Sequence, residues 1–302
     1  MEQQINRKRL AFFLTFAFGI AWLIGLVIYL TGGLSGSPEI VPGSKITLAI
    51  LLITVGYMWA PALANIFTRL VTKQGWNDLL LVPFFKKNWK FWVAAWVFPA
   101  FLTIAGGIVY FLVFPSHYDA NLTVLQKMIS ASSPGMTIDP WLVVLGQLIA
   151  AILVAPVINS FFTFGEEFGW RGYLLPNLLP LGENKAFLIS GIIWGMWHAP
   201  VIAMGHNFGL DYPGAPWLGI VVMVWFCILV GTFLSWLSIK AESIWPAVIG
   251  HAAINGISAL PLLFMLGNPN MILGPTPVGI IGSIGYLAVF IWIFVIKNKT
   301  KL

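Results

Sequence analysis

The feature that most constrains this chain is a series of long apolar stretches, each about as long as the roughly 20 residues needed to cross a bilayer core. Eight can be read: Leu10–Leu30, Ile46–Val71, Phe91–Phe114, Trp141–Thr163, Ala186–Met204, Trp217–Ile239, Ile244–Leu266 and Val278–Ile296. Lipid offers backbone amides no partner and forbids open strand edges, so helices are the spanning form to expect. Composition agrees. Charged residues are 9% of the chain and hydrophobic ones 59%, whereas a soluble domain carries about a quarter charged residues. The expectation is an all-α, polytopic membrane helical bundle of about eight transmembrane helices, one integral domain over residues 1–302. The lone Cys227 excludes an internal disulfide framework and a Cys-rich zinc module. The net charge of +6 is too scattered to be a nucleic-acid footprint. Membrane lipid, and no nucleic acid, is the partner that composition implies.

Orientation follows from the basic residues. With the N-terminus cytoplasmic, all but Lys45 and Lys127 of the 16 basic residues fall inside: Arg7, Lys8, Arg9, Arg69, Lys73, Lys86, Lys87, Lys90, Arg171, Lys185, Lys240, Lys297, Lys299 and Lys301. That asymmetry satisfies the positive-inside rule and places both termini in the cytoplasm. The first apolar run exceeds the 7–15 residues usual for a signal-peptide core, so it reads as a retained helix. Gln74–Lys90 reads as a segment lying at the inner headgroups, and Pro115–Pro140, with Ser130, Ser132, Ser133, Pro134 and Gly135, as a polar outer loop.

Ionisable residues at membrane depth cost about 2.5–3.5 kcal/mol on insertion scales and mark functional sites. Here they cluster: Glu166, Glu167 and Arg171 at the end of the fourth run, His198 in the fifth, His251 with Asn255 in the seventh. His198 lies about 18 Å along its helix from the cytoplasmic end and His251 about 10 Å, at 1.5 Å per residue. The three segments can therefore converge in one cavity, expected to open inward. Glu167 and Arg171 are i,i+4 neighbours in the favourable order, which turns Glu166 about 100° away toward chemistry. Trp194 shares a face with His198, as His251 does with Asn255. Two chemistries fit the set. Glu166, His198 and His251 match the ligands of catalytic sites for Zn²⁺ or another divalent metal, which would activate a water. Without metal, Glu166 can act as base on a water held by His198, with His251 and Asn255 donating to the developing oxyanion. Structural readings compete, since a membrane His or Asn can simply tie helices together. His117 and His206 fall in outer loops and receive no role; Cys227 reads as core.

Glu166-Glu167-x-x-x-Arg171, Trp194-x-x-x-His198 and His251-x-x-x-Asn255, in that order on successive buried helices, resemble the CPBP intramembrane proteases. That family includes the CAAX prenyl endopeptidases and bacterial bacteriocin-immunity proteins. The resemblance covers about residues 140–260. It implies endopeptidase activity near the cytoplasmic leaflet on a membrane-associated or lipidated polypeptide, in a multi-pass protein of a cell membrane, with a bacterial one expected. It also implies that Glu166 activates water with His198 as partner, and that His251 and Asn255 serve the oxyanion or a metal, with Glu167, Arg171 and Trp194 supporting. The family pattern usually carries Phe where this chain has Trp194, a change expected to reshape the wall of the site. No His-Glu-x-x-His or Gly-x-Gly-Asp string is present, and Gly33-Leu34-Ser35-Gly36 sits in an outer loop far from both histidines. The rival classes are a proton- or ion-coupled transporter, which would spread polar groups across the membrane, and a catalytically silent scaffold or immunity protein.

Overall fold

The computed structural model describes residues 5–132 and 138–296. Lys297, Lys299 and Lys301, and Ser133, Pro134 and Gly135 of the outer loop, lie outside the described residues. The ordered elements are helical: α1 (Arg7–Leu30), α2 (Leu48–Val71), α3 (Phe85–Val113), α4 (Thr123–Ser132), α5 (Pro140–Leu181), α6 (Glu183–Trp197), α7 (Ala199–Ala203), α8 (Trp217–Ala241), α9 (Trp245–Ile257) and α10 (Ile284–Ile291). Among the described residues, six helical segments are long and apolar enough to cross a membrane: α1, α2, α3, α5, α8, and α9 with its continuation to Phe264. Large side chains such as Leu23, Leu112, Leu142, Phe161 and Val221 stand exposed on their outer faces. These are the surfaces that lipid would cover.

Two of the eight expected spans take another form. The fifth breaks at His198 into α6 and α7, because Pro200 lacks the N–H that would carry the ladder on. The eighth is helical only from Ile284, after a run of turns through Gly279 and Gly282. The fourth is longer than hydropathy suggests: α5 continues past Thr163 to Leu181, burying Glu166, Glu167 and Arg171. Pro156 inside α5 leaves the Ile152 carbonyl without its helical donor, and the Trp96 indole of α3 supplies one at 2.6 Å. The Gln74–Lys90 segment is helical only from Phe85. Residues 74–84 form a strap under α9, where the Leu80 carbonyl accepts from Ile244 N at 3.0 Å and the Leu81 carbonyl from Trp245 Nε1 at 2.7 Å.

Helix α8 is the most enclosed of the long helices, with most residues from Gly219 to Ala241 buried and Val221 exposed. Close approach explains its contact with α6: a Cβ on Gly195 would stand 2.4 Å from the Val224 Cα, so only glycine fits. Gly169 does the same for α5 and α2, where a Cβ would lie 2.3 Å from Pro61 Cβ. The glycines beside the acidic pair therefore serve helix packing.

Candidate functional site

Helix α5 presents Asn159, Thr163 and Glu167 at four-residue intervals, one face of a helix. That face is stitched to α9. Asn159 Nδ2 donates to the Ala252 carbonyl at 3.3 Å and Thr163 Oγ1 to the Val248 carbonyl at 3.0 Å. The row ends at Glu167, whose Oε1 lies 2.9 Å from Arg171 Nη1 and 2.9 Å from His251 Nδ1. The i,i+4 pair thus forms as the spacing predicts. Its second partner, His251, is invisible to sequence because it arrives from another helix. With Nδ1–H donated to a carboxylate, His251 offers only Nε2 to the interior.

Glu166, one residue round the helix, faces the other way and its Oε2 accepts from Trp194 Nε1 at 2.8 Å. Trp194 is a hub. Arg171 Cζ sits 4.6 Å from its ring centroid, and the His251 ring meets it edge-on at 5.3 Å. Trp194 therefore does more than shape the wall, as expected of it: it supplies an N–H donor to the carboxylate. The break at Pro200 supplies the next link. His198 N turns to the Gly195 carbonyl, and the Trp194 carbonyl accepts instead from His198 Nδ1 at 2.8 Å. That fixes the tautomer and leaves Nε2 as the accepting nitrogen of the neutral ring. The Trp197 carbonyl, also freed at the break, accepts from Tyr57 Oη at 2.5 Å and Trp22 Nε1 at 3.2 Å. Cys227 is fully buried, as expected of core, with its Sγ 3.9 Å from His198 Nδ1.

Glu166, His198, His251 and Asn255 line one cavity of about 290 Å³, at the small end of ligand pockets, which run to roughly 1,000 Å³. Trp194, Tyr57 and His206 share its wall. Tyr57 escaped the sequence reading although a buried phenol in an apolar run is itself a signal. His206 was assigned to an outer loop and left without a role; the fold returns it to the cavity. His117 stays remote, bonded through Nδ1 to Tyr110 Oη at 2.8 Å. The direction of opening also differs from expectation. Glu166, Trp194, His251 and Val230 close the side nearer the basic ends of the helices. The remaining lining residues, among them Ile53, Met223, Ser258 and Val278, come from the opposite halves, and Asn255 is exposed at the rim. The estimated depths do bring Glu166, His198 and His251 to one cavity; its basic side is occupied by the Glu167–Arg171 pair and the Trp194 ring.

A divalent metal would require Glu166, His198 and His251 in one coordination sphere. Among the described residues no three His, Cys, Asp or Glu side chains are so grouped, and the Trp194 indole packs against all three. As arranged, the three side chains do not form such a sphere.

Buried acids, oriented imidazoles and an amide thus meet at one cavity within a helical bundle. Residues 139–257 match the family described as Type II CAAX prenyl endopeptidase Rce1-like. All seven motif residues from Glu166 to Asn255 fall inside that segment. The chain is also similar to CAAX prenyl protease 2 of the archaeon Methanococcus maripaludis, 31% identical over 93 residues. That match covers 30% of this chain and 34% of the relative, about a third of its length. Both comparisons show similarity to CAAX prenyl endopeptidases over part of the chain.

Proposed function

We propose that this protein is an intramembrane endopeptidase that hydrolyses a peptide bond in a membrane-associated, lipid-modified polypeptide, with Glu166 as the base that activates water. One observation carries the reading: a buried carboxylate, fixed through Oε2 by Trp194, shares a small cavity with two imidazoles whose Nδ1 atoms are already committed. Glu166 takes a proton from water while His198 Nε2 holds its other hydrogen, and the oxygen attacks the carbonyl carbon. The oxyanion meets the Asn255 amide. His251 can donate to it from Nε2 when the ring carries both protons, with Glu167 as counter-ion. As the C–N bond breaks, Glu166 returns its proton to the leaving nitrogen, and atoms and charge balance. A transporter would need polar side chains strung across the full membrane thickness, whereas here Glu166, His198, His251 and Asn255 gather in one small cavity. The name of the archaeal relative points to prenylated peptides as the class to try first.

The test is cleavage of a farnesylated peptide in proteoliposomes. Glu166→Gln and His198→Ala are expected to lower the rate at least 10²-fold, the scale of general acid–base catalysis, with expression and thermal stability retained. Full activity in both variants would remove the mechanism.

A further inference from the structure

His198 is held in part from helices that carry none of the motif residues. The peptide unit joining Trp197 to His198 is planar, so fixing its carbonyl and its N–H fixes the plane from which the His198 side chain departs. The N–H donates to the Gly195 carbonyl at 3.1 Å. The carbonyl accepts from two other helices, Tyr57 Oη of α2 at 2.5 Å and Trp22 Nε1 of α1 at 3.2 Å. Both lone pairs of that oxygen are thereby used. A fourth bond holds Trp197 by its other end, where Nε1 donates to the Ala17 carbonyl of α1 at 3.2 Å. The Trp197 ring lies 4.4 Å from that of Tyr57 and meets the His198 ring edge-on at 4.8 Å.

A carbonyl freed at a helix break within a membrane needs a donor, and one donor would satisfy it. The second, from a different helix, adds orientation. Both helices are shaped for the contact. A Cβ on Gly25 would stand 3.0 Å from Pro200 Cβ, so α1 comes close to the residue that causes the break. In α2, Met58 N reaches back five residues to the Ile53 carbonyl at 2.9 Å. That is a π turn, a feature frequent at functional sites, and Tyr57 sits in it and lines the cavity beside His198. Trp22 is 43% exposed, yet its N–H reaches inward. Neither helix lies within residues 139–257, the segment that matches the endopeptidase family.

We propose that Tyr57 and Trp22 are positioning residues, through which the first two helices clamp the Trp197–His198 peptide and aim His198 Nε2 at the water that Glu166 activates. The effect on rate rests on the endopeptidase reading; the effect on the His198 ring does not. The experiment uses the full chain in nanodiscs, with cleavage of a farnesylated peptide and ¹⁵N-histidine NMR measured on the same samples, the His198 signals being assigned with His198→Ala. Tyr57→Phe and Trp22→Phe each keep a ring and remove one donor. Because small misplacements of a catalytic group are costly, kcat is expected to fall about tenfold in Tyr57→Phe and about threefold in Trp22→Phe, with KM held within about twofold. In the native protein His198 should show one tautomer, with Nδ1 protonated and Nε2 bare. In both variants its signals should move toward averaged tautomers. The control is Tyr286→Phe, which removes an equally buried hydroxyl bonded to the Pro99 carbonyl at 3.4 Å, where α10 meets α3. It should change neither kcat nor the His198 signals. Native kcat in both α1 and α2 variants, unchanged His198 signals, or an equal loss of rate in Tyr286→Phe would each overturn the clamp. A native protein that cleaves nothing, but whose His198 signals respond to Tyr57→Phe and Trp22→Phe and not to Tyr286→Phe, would sink the endopeptidase reading and leave the clamp standing.

Discussion

Arg171 and Arg69 are each 1% exposed, yet they are held in opposite ways. Arg171 faces a carboxylate that is itself fully buried, and that carboxylate also holds His251. Arg69 reaches outward from the basic end of α2. Its Nε donates to Asn65 Oδ1 at 2.8 Å, and Nη1 donates to Asp78 Oδ1 at 2.6 Å and to the Gly75 carbonyl. The Asp78 side chain remains 64% exposed. Trp76 and Tyr173 rings flank the Arg69 guanidinium at 5.7 and 5.4 Å. One arginine neutralises a charge that has no access to water, and the other ties a loop to the bundle. A buried charge is costly chiefly when its partner is removed, so the two sites should fail differently.

The largest difference is expected from truncation. Arg171→Ala strands the Glu167 carboxylate and should cost about 3–5 kcal/mol, seen as a collapse in thermal stability in detergent together with loss of cleavage. Arg69→Ala leaves Asp78 free to meet water and should cost less, about 1.5–3 kcal/mol for hydrogen bonds to a charged group. Activity per folded molecule should survive, with faster proteolysis at residues 74–84. Equal losses in both proteins would erase the distinction. A smaller effect isolates the chemistry: Trp194→Phe keeps a ring over Arg171 but removes the donor to Glu166. It should lower kcat about tenfold, near 1.4 kcal/mol, at little cost in melting temperature.

The smallest effect concerns pH. Partial burial pushes the Asp78 carboxyl up, but the Arg69 guanidinium, with the Gln74 amide, outweighs it and holds the group below its ordinary value. A depressed folded value means that the stabilisation is present above the unfolded pKa of about 3.9 and fades as pH falls through the folded one. Because the group is largely exposed, the contribution should stay under about 1 kcal/mol. Hydrogen exchange of residues 74–84 should therefore quicken below about pH 4, and Asp78→Asn should remove that dependence.

The sequence disclosed the helical class through the length of its apolar runs, and disclosed the acid–imidazole–amide set through ionisable residues in those runs. It could not disclose what each side chain meets across helices. Glu167 reads as the partner of Arg171 because i,i+4 is a local relation; its bond to His251 depends on α5 and α9 lying together. Hydropathy ended the fourth span at Thr163 because three charges follow, although partners elsewhere make their burial possible. His206 was misplaced for a geometric reason, the left-handed Gly205 that turns an outer loop inward. Trp194 was legible as an aromatic near the site, but its N–H toward Glu166 was not.

Helix α8 packs against α3, α6 and α7, which precede it, and against α9 and α10, which follow it, and that has a consequence for biogenesis. A segment enclosed by elements both earlier and later in the chain cannot be docked onto a finished assembly. Residues 217–241 follow α1–α7 in synthesis, so the cavity that α6 and α8 wall together is complete only after they have emerged.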